Sequence, residues 1–275
     1  MLNRLFRYIL FIAVLVFSWQ ACEGDDPSVN ASRFRLKLTD ATSPVIKELY
    51  VDIREIEVFL VDTVSNEGEW ISLEFSGRTY DILKLMNGKT VQLVDQYIPA
   101  GGELQRIKLV LGNDNRLVTN TDKPFPLQIP DELVDGIFID AVKMDLRINT
   151  ISSMIIDLNA ALSVRESNGS YFLEPVARAF PETYGGKLRG SVTPLIGASP
   201  FVKIIQDEDT LLTLPERETL GDNTGTFQFI GLKEGEWEVH VVASPGSNYR
   251  DTVFISTLEA GKTTDITQPI RLKAF

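Results

Sequence analysis

The stretch LYVDIREIEVFL, residues 49–60, decides how the rest of the chain is read. Leu49, Val51 and Ile53 fall on alternate positions, and so do Ile56, Val58 and Leu60. A period of two is the pattern of a strand with one face in the core. The step from Ile53 to Ile56 slips that period by one residue, as a β-bulge does. The alternation continues on both sides. FRLKL puts Phe34, Leu36 and Leu38 on one face, and ISLEF, VQLV, IKLVL, VKMDLRI and MIIDL repeat it downstream. Turn formers separate these runs at MNGK (86–89), PAGGE (99–103), LGNDN (111–115) and ESNGSY (166–171). Asn168-Gly169 between LSV and YFL predicts a hairpin, because a type I′ turn needs positive φ at both central residues. Helical signals are confined to TYDILKLMNG (79–88) and IPDELVDGIF (129–138), each long enough for a turn or two. Many short strands with turns between them predict an all-β chain of sandwiches.

FPETYGGKL (180–188) has the composition of a linker, and the character of the sequence changes after it. LRGSV, FVKII, TFQFIGL, EWEVHVVA, DTVFIS and DITQPIRL form a second set of strands. The expected organisation is two consecutive β-sandwich domains, residues 33–180 and 187–275, joined by a linker at 181–186.

The N-terminus carries an address. Arg4 and Arg7 precede YILFIAVLVFSW, an apolar run over residues 8–19 that ends at Ala21-Cys22. Spanning a bilayer with a helix takes about 20 apolar residues, so this run is too short. A basic start, a short apolar core and a small residue before the cut describe a secretory signal over residues 1–21. The end of the run resembles the lipobox of bacterial lipoproteins, with Trp19 where leucine is usual. Cys22 is then the lipidated residue, and the protein meets the membrane through N-terminal acyl chains. Lipidation also accounts for a single cysteine in an exported chain. With no second cysteine, disulfides are excluded. Residues 22–32 read as an acidic flexible tether. Its acids Glu23, Asp25 and Asp26 resemble the signal that sends some Gram-negative lipoproteins to the outer face of the outer membrane.

Charge removes one class of partner. Loss of two arginines with the signal takes the formal charge from −11 to −13. Nucleic acid binding rests on Lys and Arg neutralising phosphates, and no basic stripe is present. Catalytic constellations are also missing from the sequence. The single histidine, His240, alternates with Trp237, Val239 and Val241 and so points away from the apolar set. With Cys22 committed to lipid, neither a Ser-His pair nor a zinc site of the usual His/Cys type is expected. The acidic loops QDEDT (206–210) and LGNDN (111–115) offer oxygens. Calcium takes about six to eight of these, but neither loop has EF-hand spacing. No pair of carboxylates is singled out for glycoside hydrolysis. The expectation is a non-enzyme without catalytic residues, metal or cofactor.

Aromatic rings stack on the apolar faces of sugars. The candidates for exposure are Trp70, Tyr97, Tyr171, Tyr184 and Tyr249, and Tyr97 and Tyr249 are the two chosen as glycan contacts. Asp-Thr-apolar triplets at 62–64, 209–211 and 251–253 resemble a bacterial O-glycosylation signal, making Thr63, Thr210 and Thr252 candidate acceptors.

Four stretches carry a family resemblance: LTDAT (38–42), YDILKLMNGKTVQLVDQYIPAGGELQRIKLVLGNDN (80–115), IPDELVDGIFI (129–139) and IIDLNAALSVRESNGSYFLEPVARAF (155–180). Together they resemble the bacterial lipoprotein domain known as domain of unknown function 4382. The resemblance implies an immunoglobulin- or transthyretin-like sandwich and no established activity. Glu103-Leu104 stands where tyrosine is common, and PDELVDG replaces a small glycine-rich segment. In the second half, GKLRGSV (186–192), DNTGTFQFIGLKEGEWEVHVVA (222–243) and LEAGKTTDI (258–266) resemble carboxypeptidase-regulatory-like domains, in a superfamily named for carbohydrate binding. There Phe227, Phe229, Trp237, Val239 and Val241 are expected to fill one face of two strands joined by a turn at Gly231–Gly235. The reading that results is a lipid-anchored surface protein that binds glycan or another surface protein. The alternative is a periplasm-facing accessory lipoprotein of an outer-membrane transport or assembly complex.

Overall fold

The computed structural model describes residues 28–275. Cys22, Glu23, Asp25 and Asp26, with the expected signal, lie outside the described residues. In chain order the strands of the first half are β1 (Ala31–Ala41), β2 (Ile46–Asp62), β3 (Gly68–Ser72), β4 (Arg78–Asp81), β5 (Val91–Pro99), β6 (Gly102–Leu111), β7 (Arg116–Thr119), β8 (Pro124–Gln128), β9 (Ile137–Asp145), β10 (Ile151–Asn159), β11 (Val164–Ser167), β12 (Ser170–Leu173) and β13 (Ala177–Pro181). The second half holds β14 (Gly186–Thr193), β15 (Phe201–Gln206), β16 (Asp209–Thr213), β17 (Gly225–Leu232), β18 (Gly235–Val242), β19 (Thr252–Leu258), β20 (Thr263–Asp265) and β21 (Ile270–Arg271). Helix is limited to the single turn α1 (Ala160–Ser163) and to 3-10 turns at Ile82–Leu85 and Asp131–Leu133. No helix among the described residues is long and apolar enough to cross a membrane.

LYVDIREIEVFL forms the centre of β2. The slip between Ile53 and Ile56 is a bulge: the pairing of β2 with β6 shifts register between Ile53 and Glu55. The bulge returns Ile56, Val58 and Leu60 to the buried face already used by Leu49, Val51 and Ile53. Asn168 (φ 51°) and Gly169 (φ 79°) make the turn of the β11–β12 hairpin, both in the left-handed region that such a turn requires.

The first half is one hydrogen-bonded sheet in the order β11-β12-β8-β7-β2-β6-β9-β13-β10-β1-β5, with β3 and β4 paired on β2. β9 and β13 touch through the pair Ala141–Ala179. The side chains the sheet buries form one apolar cluster, from Phe34 to Ala179. Three of its pairings are parallel, β1 with β10, β8 with β12 and β9 with β13. The second half is a sandwich of two smaller sheets, β17-β14-β20 with β21 on β14, and β16-β15-β18-β19. Its cluster runs from Leu188 to Leu272. One expectation is corrected. β17 and β18 follow each other across the Gly231–Gly235 turn but enter opposite sheets. Phe227, Phe229, Trp237, Val239 and Val241 do meet in one interior, from its two sides.

Candidate functional site

On β2, β6 and β9 the inward positions Val58, Leu60, Ile107, Leu109, Ile137 and Ile139 are buried, and on β3 Ile71 packs against the same cluster. The residues between them therefore point outward. The register lines them up in rows: Trp70, Phe59, Arg106 and Asp140 across one, Ser72, Glu57, Lys108 and Phe138 across the next. Three aromatic rings gather where these rows meet. The centroids of Phe59 and Trp70 lie 5.1 Å apart, and those of Trp70 and Phe138 5.7 Å apart, all tilted. Gly68 lies against the Phe59 ring, where a Cβ would stand 2.2 Å from its tip. Glycine at that position is what lets the ring lie down across the sheet.

Trp70 is 37% exposed and Phe138 54% exposed. Two charged pairs frame them. Arg106 donates to Asp140 Oδ1 at 3.1 Å and lies over the Phe138 ring, 5.1 Å from its centroid. Lys108 Nζ stands 3.3 Å from Glu57 Oε2. The result is an apolar, π-rich platform rimmed by charged donors and acceptors. Chemically it suits a ligand with an apolar face and hydroxyls at its edge. Among the described residues no cluster of three or more His, Cys, Asp or Glu is arranged to hold a metal ion.

Of the residues singled out by sequence, Trp70 belongs to the platform. Tyr97 lies on β5, 44% exposed, opposite Arg33 on β1. Arg33 grips Asp95 through two hydrogen bonds of 2.6 and 3.0 Å, which hold the Asp95 carboxyl below its ordinary pKa. Tyr249 is half-buried against the second cluster. Tyr171 packs on Phe125, and Tyr184 on Phe180. Thr63 is exposed and donates to Gly101 O, while Thr210 and Thr252 are partly buried. His240 faces outward beside Glu238, 3.0 Å away. Asp207 and Asp209 sit at the β15–β16 turn, where Asp209 pairs with Lys233. In the other acidic loop Asn115 is buried and accepts from the Asp52 amide. Phe59 and Phe138 were not singled out. Their signal is present, since each is a phenylalanine at an outward position between two inward aliphatics.

The two halves meet through polar contacts. Asn87 donates to Leu214 O and Glu216 Oε2, and its Oδ1 accepts from Thr213 Oγ1 and the Gln228 amide. Arg178 chelates Asp157 Oδ2 and donates to the carbonyls of Ile230 and Gly231. Asn159, which caps α1, also donates to Thr210 O. Behind this junction Asp40 is buried. Its Oδ1 accepts from the Ala160 amide and its Oδ2 has no protein partner. Burial, and then the charge of Asp157, push its pKa well above the ordinary value.

Hollows elsewhere offer less. A cleft of about 650 Å³ at the junction is lined by charges, but Lys89 is paired with Glu216 and Arg189 with Asp265. A hollow of about 300 Å³ beside the β2–β3 turn presents Asp62, Glu67 and Glu69 without an aromatic face.

A family model described as Domain of unknown function (DUF4382) matches residues 31–175, more than half of the chain. No curated protein matches this sequence. Similar solved structures include GBS52, the minor pilin of Streptococcus agalactiae, at 8% identity over 88% of this chain and 96% of that one, TM-score 0.23. The shaft pilin SpaA of Lactobacillus rhamnosus GG is 9% identical over 89% and 98%, TM-score 0.23. The fimbrial anchor protein Mfa2 of Porphyromonas gingivalis is 13% identical over 82% of each chain, TM-score 0.21. Likenesses of this size transfer no function.

Proposed function

The chain belongs to the DUF4382 family, and on that premise we propose that it is a non-catalytic glycan-binding protein held at the cell surface by lipid. The observation that carries the proposal is the outward platform of Trp70, Phe59 and Phe138, framed by Arg106, Asp140, Lys108 and Glu57. A solvated sheet face is normally polar, so three aromatics gathered at outward positions call for a ligand. A pyranose ring stacks on Trp70 and Phe138, and its equatorial hydroxyls reach the charged rim. Lipidation at Cys22 and export through Glu23, Asp25 and Asp26 would hang the platform outside a Gram-negative outer membrane. Two sandwich domains, 33–180 and 187–275, then act as a stand that raises it.

The test is retardation in gels cast with bacterial and host polysaccharides. Trp70→Ala and Phe138→Ala are each expected to weaken binding about tenfold, the worth of one aromatic stack. Tyr97→Ala and Tyr249→Ala are the controls. Loss with these controls and none with Trp70→Ala would move the site off the platform.

A further inference from the structure

At the junction lies a cavity of about 20 Å³, walled by Thr39, Asp40 and Asp157 from the first half and by Thr213 and Phe229 from the second. That is room for one water or one small ion. Two buried carboxylates border it. Asp40 is 6% exposed and Asp157 5%. Each has one oxygen, Oδ2 of Asp40 and Oδ1 of Asp157, without a protein partner. The other oxygens are engaged: Asp40 Oδ1 accepts from the Ala160 amide, and Asp157 Oδ2 from Arg178. Native interiors rarely leave one such atom unpaired, because the lost hydration is not returned. Here two of them border one small space.

The hydroxyls in the wall are spent as donors. Thr39 Oγ1 donates to the carbonyls of Leu85 and Lys89, and Thr213 Oγ1 to Asn87 Oδ1. Both keep lone pairs. Arg178 spends its guanidinium on Asp157 Oδ2 and the carbonyls of Ile230 and Gly231.

Charge then selects the class of ligand. Asp40 and Asp157 bring two negative charges and Arg178 one positive charge. One negative charge is left over in a buried place, where an uncompensated ion is costly. Asp81, whose charge also reaches Asp40, is paired with Lys84 and leaves that sum unchanged. A water would satisfy the oxygens but not the charge. A divalent ion would leave an excess positive charge, and calcium also asks for about six to eight oxygens. Oxygen donors favour a hard cation. A small monovalent one closes the sum.

From these observations we propose that Asp40 and Asp157 hold a sodium ion between Oδ2 of the first and Oδ1 of the second. The walls of the site come from both halves, so the ion ties them together. Two carboxylates suffice for it, which is why no larger acidic cluster surrounds the place.

The test is thermal unfolding of the full-length chain at pH 8 and constant ionic strength, with sodium chloride exchanged for choline chloride. Sodium is expected to raise Tm saturably, by about 3–5 °C at ten times its Kd. Potassium, a larger ion, should raise it less. Asp40→Asn keeps the acceptor for the Ala160 amide and removes one charge, so it should fold and lose the sodium response. The line width of the sodium nuclear resonance reads binding without reference to stability, and wild type should broaden it more than Asp40→Asn does. Equal Tm in sodium and choline, with equal line widths for the two proteins, overturns the proposal and leaves water or a proton as the occupant. A sodium response that survives in Asp40→Asn overturns it by placing the ion elsewhere. Stabilisation by calcium and not by sodium overturns the charge sum on which it rests.

Discussion

Asp40 is the residue the fold treats most harshly. Its folded pKa is raised, first by burial and then by Asp157. The native state therefore holds the proton to higher pH than the unfolded chain does. Stability falls as pH climbs from the ordinary value of 3.8 through the raised folded value. Asp40→Asn keeps the acceptor for the Ala160 amide and removes the titration. Its urea midpoint is expected to exceed the wild-type value at pH 7, and the two should converge below pH 3.8. Arg178 is the opposite case. Its guanidinium holds buried Asp157 and two carbonyls of the second half. Arg178→Ala strands that carboxylate and should cost about 3 kcal/mol in chemical unfolding. Arg178→Lys is expected to recover only a minor part, because an ammonium lacks the fork that binds all three acceptors.

At the scale of elements, the turn after β17 shows how tightly the halves fit. Gly231 has φ 63°, and a Cβ there would stand 2.3 Å from the Phe180 ring. Gly231→Ala forces both a left-handed alanine and a displaced phenylalanine, for an expected loss of about 1–3 kcal/mol, read as a lower Tm. Much of this level was legible in the sequence. The bulge in β2 announces itself in the slip from Ile53 to Ile56, and the β11–β12 hairpin in Asn168-Gly169. The separation of β17 and β18 into opposite sheets was not legible, because both strands bury the same kind of face. The parallel pairing of β1 with β10 joins Arg33 to Ile151, and such distant partners are chosen by packing of the whole core. The platform was half legible. Trp70 reads as a candidate for exposure, but its contact with Phe138 exists only once β3, β2, β6 and β9 are in register. Sequence chose Tyr97 and Tyr249 as the contacts; Tyr97 is 44% exposed on β5, and Tyr249 leans on the second core, which an aromatic in a glycine-bearing loop does not announce.

For the whole molecule, the Asn87 and Arg178 contacts tie the two sandwiches together, and the aromatic platform lies on the first half. Tryptophan emission reports on the platform directly. Trp237 is buried in the second core, Trp70 is exposed on the platform, and Trp19 falls in the expected signal. Subtracting the spectrum of Trp70→Phe from that of the unsubstituted chain isolates Trp70. Titration with a polysaccharide that retards the protein should then shift the Trp70 difference emission to the blue, saturating with the same affinity as retardation. Saturable binding that leaves the Trp70 emission unmoved would contradict the account and place the ligand elsewhere.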